Sequence, residues 1–212
     1  MNVLGWESGL ARVLVTAKEW TDEELMDRFQ QGEQDGFEQL YRRHKSSIFS
    51  FLTRQFTSPE NASELTQEVF FRVVKSAHTF KHGSKFTTWL FSIARNLAID
   101  STRKAKHRRH TSLQQKKDDE HALEEKLPAG GPAPDRGAVA SSLQQDLAHA
   151  ISKMPDEQRE VFLLREYHGL TFKEIATIVS AKEGTVKSRM RYALQFLQSE
   201  LVKWSEYART LP

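Results

Sequence analysis

Apolar residues recur along most of this chain at three- and four-residue steps, the spacing of an amphipathic helix. Strict alternation never lasts long enough to predict a strand. The first helix opens at Thr21-Asp-Glu-Glu24, a capping-box pattern in which a threonine oxygen and a glutamate three residues on satisfy the free amides of a helix start. Leu25, Met26 and Phe29 follow, and Gly32 closes the segment. A second helix is predicted from near Asp35, with Phe37, Leu40, Tyr41, His44, Ile48, Phe51 and Leu52 on its apolar stripe. Ser58-Pro59 starts a third by the serine-cap, proline-first rule, carrying Leu65, Val69 and Val73. A loop containing Gly83 leads to a fourth, with Trp89, Ile93, Ala94 and Leu97 inward.

The same logic finds a helical pair near the end of the chain. Thr171-Phe-Lys-Glu174 is a second capping box and opens a short helix with Ile175, Ala176 and Val179. Ser180-Ala-Lys182 reads as a turn. A longer helix begins near Glu183-Gly184 and faces Val186, Met190, Ala193, Leu194 and Leu197 inward. The small side chain of Ala176 lets the two helices cross closely, and Val161, Phe162 and Leu164 mark a preceding helix beneath them. The predicted fold class is all-α.

Between about Thr111 and Ala140 the pattern collapses. Pro128, Pro132, Pro134, Gly130, Gly131 and Gly137 crowd together, and long apolar side chains nearly vanish. Such a segment cannot bury enough surface to offset its ordering entropy, so a flexible linker is predicted. The organisation expected is an extension over 1–20, a helical domain over 21–107, the linker over 108–141 and a second small helical domain over 142–205. In the extension, Trp6, Leu10, Val13, Ala17 and Trp20 are spaced for a helix, but Gly5, Ser8 and Gly9 oppose one.

Composition narrows the chemistry. The 212 residues contain no cysteine, which excludes disulfides, thiolate metal sites and cysteine nucleophiles. No apolar run approaches the roughly 18 residues of a membrane span, and Val13-Leu14-Val15 is too short for an export signal. A cytoplasmic protein without membrane insertion is expected. The formal net charge is only +3, so the distribution matters more than the total. Arg103, Lys104, Lys106, Arg108, Arg109, Lys116 and Lys117 form a basic run without an acid, and Asp118, Asp119, Glu120, Glu124 and Glu125 follow at once. Taken alone, such blocks fit a solvated stretch equally well.

The C-terminal pair has the spacing of a helix-turn-helix, the alternative being an ordinary helical hairpin with a solvated basic face. The outer face of its second helix offers Thr185, Lys187, Ser188, Arg189 and Arg191. In that motif the start of the second helix enters the major groove, where arginine can give two hydrogen bonds to guanine while lysine and serine grip phosphates. In the first domain, Phe37, Phe51 and Phe70 at helical spacing are expected in the core. Phe80, Phe86 and Trp89 sit in or beside a loop with Lys81, His82 and Lys85, an aromatic and basic mixture suited to unstacked bases.

These motifs resemble a known family. Ala-Ser-Glu-Leu-Thr-Gln-Glu-Val-Phe-Phe-Arg-Val (62–73) and Lys-Phe-Thr-Thr-Trp-Leu-Phe-Ser-Ile-Ala-Arg-Asn-Leu-Ala-Ile-Asp-Ser-Thr-Arg (85–103) are similar to region 2 of the extracytoplasmic-function (ECF) sigma factors of the bacterial sigma-70 family. Met-Pro-Asp-Glu-Gln-Arg-Glu-Val-Phe-Leu-Leu-Arg (154–165), Gly-Leu-Thr-Phe-Lys-Glu-Ile-Ala (169–176) and Gly-Thr-Val-Lys-Ser-Arg (184–189) resemble their region 4. The resemblance implies a region 2 helical bundle and a region 4 helix-turn-helix, the two domains read above. It assigns Glu64, Gln67, Glu68 and Phe71 to docking on core RNA polymerase, at the coiled coil of the largest subunit, with a further contact of the chain to the flap. It assigns Lys85, Phe86, Thr88, Trp89, Ser92, Asn96 and Arg103 to the −10 element, as duplex and as melted strand. Lys173, Thr185, Lys187, Ser188, Arg189 and Arg191 would meet the −35 element as duplex. An anti-sigma factor is a further implied partner.

The residues leave some roles open. Asp100 and Arg103 lie on one stripe and could pair with each other instead of touching DNA, and Trp89 could be core. Three features depart from the family: Ser180 stands where glycine is frequent, Tyr192 and Leu194 occupy places where further arginines are usual, and residues 1–20 have no clear counterpart. No nucleotide loop, metal-ligand spacing or catalytic triad is visible, so no cofactor and no catalysis are expected. The expected function is promoter recognition and melting by an alternative sigma factor. Two rivals remain at this level: a stand-alone helix-turn-helix regulator, and a sigma-like adaptor that sequesters an anti-sigma factor.

Overall fold

The computed structural model describes residues 20–56, 59–112 and 136–204, and these form eight α-helices. Helix α1 (Asp22–Gln30), α2 (Gln34–Gln55), α3 (Pro59–Ser76) and α4 (Phe86–Ser112) build an N-terminal unit. Helix α5 (Arg136–Lys153), α6 (Asp156–Phe162), α7 (Phe172–Ile178) and α8 (Glu183–Glu200) build a C-terminal one. A short 3₁₀ turn, Ala77–Thr79, follows α3. No strand occurs among the described residues.

Both capping boxes form. Thr21 Oγ1 accepts from the Glu24 amide at 3.2 Å while Glu24 accepts from the Thr21 amide at 2.8 Å, and Thr171 and Glu174 repeat the exchange. Helix α1 is pinned to α2 by Asp22, which receives Arg43 at 2.9 Å and His44 at 2.6 Å. Burial would raise the Asp22 carboxyl, but the hydrogen bonds and charges of His44 and Arg43 win and hold it below its usual value. Gly36 is where α2 crosses α1 backbone to backbone, against the Leu25 carbonyl.

Leu25, Met26, Leu40, Phe51, Leu52 and Leu90 are fully buried in the N-terminal unit. An aromatic group of Phe37, Tyr41 and Phe70 packs edge to face between α2 and α3, with Tyr41 and Phe70 centroids 4.8 Å apart. In the C-terminal unit Val161, Leu163, Leu164, Ile175, Val186 and Ala193 are fully buried.

Helix α6 passes into a single π-helical segment, Leu163–Tyr167, and ends at Gly169, whose φ of +67° is the left-handed cap that glycine takes without a Cβ penalty. The Leu170 amide reaches back to the Leu164 carbonyl at 3.1 Å and the Gly169 amide to Arg165 at 3.1 Å, which together turn the chain into α7. The turn between α7 and α8 is closed by Ser180 at φ +53°. There serine does what glycine does at Gly169.

Two expectations about boundaries change. Helix α4 runs on to Ser112 and α5 begins at Arg136, so both ends of the segment expected as linker are helical. Helices reach into the polar stretch because lysine, arginine, alanine and glutamine are good helix formers even without an apolar stripe. The rest of that segment, the extension over 1–19 and the cap residue Ser58 lie outside the described residues. Leu194, expected inward, is instead half exposed on the outer side of α8.

Candidate nucleic-acid interface

The first candidate surface is the outer face of α3. Glu64, Gln67 and Phe71 are exposed, and Glu68 pairs with Arg72 at 3.2 Å. Phe71 leaves 62% of its surface to solvent. Val74, which periodicity did not single out, adds to it one turn on. A large aromatic thus stands exposed on this face beside Glu64 and Glu68.

The second surface lies at the start of α4. The Phe86 amide donates to Glu23 Oε1 at 3.1 Å, so α1 supplies the cap of α4, and Lys85 stands 3.8 Å from the same carboxylate. Phe86 to Trp89 therefore belong to the first helical turn and not to a loop. Phe86 corrects its expected role. It is fully buried against Phe80, Trp89 and His44 and belongs to the core, where no base can reach it. Trp89 is half-buried, its ring 5.3 Å from Phe80. Ser92 donates to the Thr88 carbonyl at 2.7 Å. Asn96 is exposed one turn later, and Arg103 pairs with Asp100 at 3.3 Å, the internal alternative left open by the sequence.

The third surface is the outer face of α8. Thr185, Lys187, Ser188 and Arg191 are exposed there, with Lys187 bridged to Glu183 at 2.6 Å. Arg189 is not open. Its side chain is only 21% exposed, and its guanidinium pairs with Glu157 of α6 at 2.7 Å. Lys173 is exposed on α7.

The two units also meet. Arg95 of α4 pairs with Glu160 of α6 at 2.7 Å, with side chains 19% and 6% exposed. Burial raises the Glu160 carboxyl above its ordinary value, and Arg95 only partly offsets this. Gln55 of α2 donates to the Asp156 carbonyl at 3.0 Å and accepts from Arg159 at 3.2 Å. Arg54 lies over the Tyr167 ring. His168 is inserted between Phe51 and Phe91, 4.7 Å from the latter. Burial, assisted by the Arg54 charge, lowers it to about 4. Lys85, Thr88, Trp89 and Ser92 line one cleft of about 480 Å³ with Thr171, Lys173, Glu174 and Thr177 of the helix-turn-helix. Sequence reasoning missed Gln55, Arg95, Glu160 and His168, because polar residues facing another unit follow no period.

The sigma-70 region 2 family matches residues 40–108, and the sigma-70 region 4 family matches residues 144–197. The RNA polymerase sigma factor CarQ of Myxococcus xanthus is 31% identical over 83% of this chain and 95% of its own. The chain belongs to the sigma-70 family, among its ECF sigma factors. The ECF sigma-E factor of Escherichia coli K12 is 30% identical over 87% of this chain and 96% of its own. A solved structure of the sigma factor RpoE with the anti-sigma factor NepR from Bartonella quintana shares the fold, with a TM-score of 0.60 at 24% identity over 78% of this chain and 96% of that one. The chain is accordingly an alternative RNA polymerase sigma factor.

Proposed function

We propose that this sigma factor docks on core RNA polymerase through Glu64, Gln67, Glu68 and Phe71, and reads the promoter with two separate surfaces. The observation that carries the reading is that region 2 and region 4 both occur, in order, in one chain. Residues 21–107 would form the polymerase and −10 unit and residues 142–205 the −35 unit. At −10, Lys85 and Arg103 supply charge to phosphates, Asn96 and Ser92 face the upstream base pairs, and Thr88 and Trp89 border the place for an unstacked base. Holding an extruded base offsets its unstacking cost of a few kcal/mol and so favours the open complex. At −35, Arg189 reads a base edge once released from Glu157, while Lys173, Thr185, Lys187, Ser188 and Arg191 grip the backbone.

The chain works as a non-catalytic, cytoplasmic subunit, since positioning and strand capture need no chemistry of its own. No helix among the described residues is long and apolar enough to cross a membrane. An anti-sigma factor is its regulatory partner, as NepR is for the fold-related RpoE. Run-off transcription with purified core polymerase tests the reading. Start-site-directed transcripts must depend on both proteins, and Asn96→Ala must lower −10 selection while core binding persists. Specific DNA binding by the chain alone, with no affinity for core, would establish the stand-alone regulator instead.

A further inference from the structure

We propose that helix α1 is the template for the segment joining α3 to α4, with Glu23, Asp27 and Gln30 as positioning residues for capture of the melted strand. This rests on the base-capture role just proposed for Thr88 and Trp89. The three side chains stand at i, i+4 and i+7, which places them on one face of the helix. Gln30 Nε2 donates to the carbonyls of Ala77 at 2.7 Å and Phe80 at 3.0 Å, where the segment begins. Asp27 Oδ2 lies 3.1 Å from His82 Nδ1 in its middle. Glu23 Oε1 accepts from the Phe86 amide at 3.1 Å and faces Lys85 at 3.8 Å, where α4 begins.

The helix is firmly held, while the segment has little to fix its own path. Leu25 and Met26 bury α1 in the core, Thr21 and Glu24 cap its start, and Asp22 ties it to Arg43 and His44 of α2. Residues 81–85, by contrast, are all exposed. Their turn is closed by the Ser84 amide on the Lys81 carbonyl at 3.0 Å, with Gly83 at φ +84°. From Phe80 to Phe86 the chain can reach about 20 Å when extended, whereas Glu23 to Gln30 covers only about 10 Å of helix. Covalent connection alone therefore leaves slack, and the contacts to α1 take it up.

What α1 holds is the support of the base-capture place. Gln30 fixes the backbone of Phe80, whose ring packs 5.3 Å from Trp89. Glu23 fixes the first amide of the helix that carries Thr88 and Trp89. Both act through these residues and not on the base itself. An extruded base is held best when its place is formed beforehand, because ordering the segment on arrival would subtract from binding. Gln30 is itself exposed, so its replacement uncovers no core and leaves global stability nearly untouched. That separates a positioning role from a merely structural one.

Gln30→Glu keeps the side-chain size, removes both donors and turns a carboxylate on two carbonyls. Loss of two hydrogen bonds shifts the equilibrium that favours the held segment by roughly tenfold. Because the chain has no native cysteine, Lys81→Cys places a single nitroxide label on the segment in the full-length protein. Its spectrum should show one restrained component, to which Gln30→Glu adds a mobile one. Run-off transcription with core polymerase, on templates randomised through the −10 element, then reads selection. Gln30→Glu and Glu23→Ala should each flatten the preference at the captured base severalfold while core binding and −35 duplex binding persist. Tm should stay unchanged in Gln30→Glu, and Gln30→Ala, which adds no charge, repeats the test if that variant unfolds. Glu23→Gln, which still accepts from the Phe86 amide, should restore most of the preference. An unchanged spectrum and an unchanged −10 preference in Gln30→Glu would overturn the template. Thr88→Ala separates that failure from failure of the base-capture role. Flattened preference in Thr88→Ala but not in Gln30→Glu sinks the template alone. Full preference in Thr88→Ala, with a mobile segment in Gln30→Glu, removes the base-capture assignment and leaves the holding of the segment by α1 standing.

Discussion

Replacing Gly36 with alanine sets two physical effects of opposite sign against each other. Inside an exposed helix, alanine is favoured over glycine by about 1 kcal/mol, so propensity alone predicts a more stable protein. The structure predicts the reverse. A Cβ at Gly36 falls inside van der Waals contact of the Leu25 carbonyl oxygen and lies 3.2 Å from the Phe29 nitrogen, and both are backbone atoms of α1 that cannot rotate away. Helix α1 would have to retreat by roughly 1 Å, and a gap of that size forfeits a quarter to a half of the contact energy it opens. Leu25 and Met26, both fully buried, anchor α1, and each is worth about 1.5–3 kcal/mol. Their partial loss, with strain at the crossing, costs about 2–4 kcal/mol. Subtracting the propensity gain leaves a net loss of about 1–3 kcal/mol, or roughly 3–10 °C in Tm for a chain of this size. Thermal unfolding followed by circular dichroism at 222 nm measures it. A Tm equal to or above that of the unmodified protein would refute the close crossing. Because Glu23 on α1 caps α4 at the Phe86 amide, the same variant should lose open-complex formation before it loses duplex −35 binding.

Ser180→Gly should stabilise region 4 by about 0.5–1 kcal/mol, because serine at φ +53° bears a steric penalty that glycine lacks; urea unfolding that shows no gain would disprove it. Arg189→Ala should weaken binding to the −35 element by about 1–3 kcal/mol, and in a gel-shift series an equal loss on every sequence would reduce Arg189 to a phosphate contact. Acid should loosen the contact between the two units. His168, between Phe51 and Phe91, sits near 4, against an ordinary 6.5, so the separated units bind the proton more strongly and the contact weakens as pH falls from about 6.5 towards 4. The effect is about 2–3 kcal/mol after allowing for residual solvent. Glu160, raised by burial, titrates with the opposite sign, so the contribution of His168 is the difference between the unmodified chain and His168→Phe in Tm against pH. Identical curves for the two would exclude it.

The sequence made the helices legible where local chemistry decides them. The two capping boxes and the stripes of Leu40 to Leu52 and Val186 to Leu197 depend on neighbours three or four residues away in the chain. Phe86 was misjudged because its surroundings, Phe80 and His44, come from other elements. Near a loop with Lys81 and Lys85 it resembled a base-stacking ring, yet it is core. Leu194 was misjudged for the opposite reason: an apolar residue at helical spacing need not face inward when Ala193 and Leu197 already fill the seam. The exposure of Glu64, Gln67 and Phe71 on the outer face of α3 follows from helical spacing, while that of Val74 does not. The contacts between units were not legible, since Gln55, Arg95, Glu160 and His168 each look like ordinary surface residues until the two units are seen together.

The modest net charge of +3 gains a physical sense from the pairing of the candidate DNA contacts. Lys85 stands against Glu23, Arg103 against Asp100, Lys187 against Glu183 and Arg189 against Glu157. The three exposed pairs, those of Lys85, Arg103 and Lys187, are worth only about 0.2–1 kcal/mol each, so a correctly placed phosphate displaces the carboxylate at small cost. A single misplaced phosphate gains little from the exchange, because each cation is already satisfied. Nonspecific affinity is set almost wholly by positive charge free to meet phosphates, and pairing suppresses it without removing any of the residues proposed to read the promoter. Specific binding recovers the cost only when several exchanges occur together. That requires both units to lie on their own elements at once.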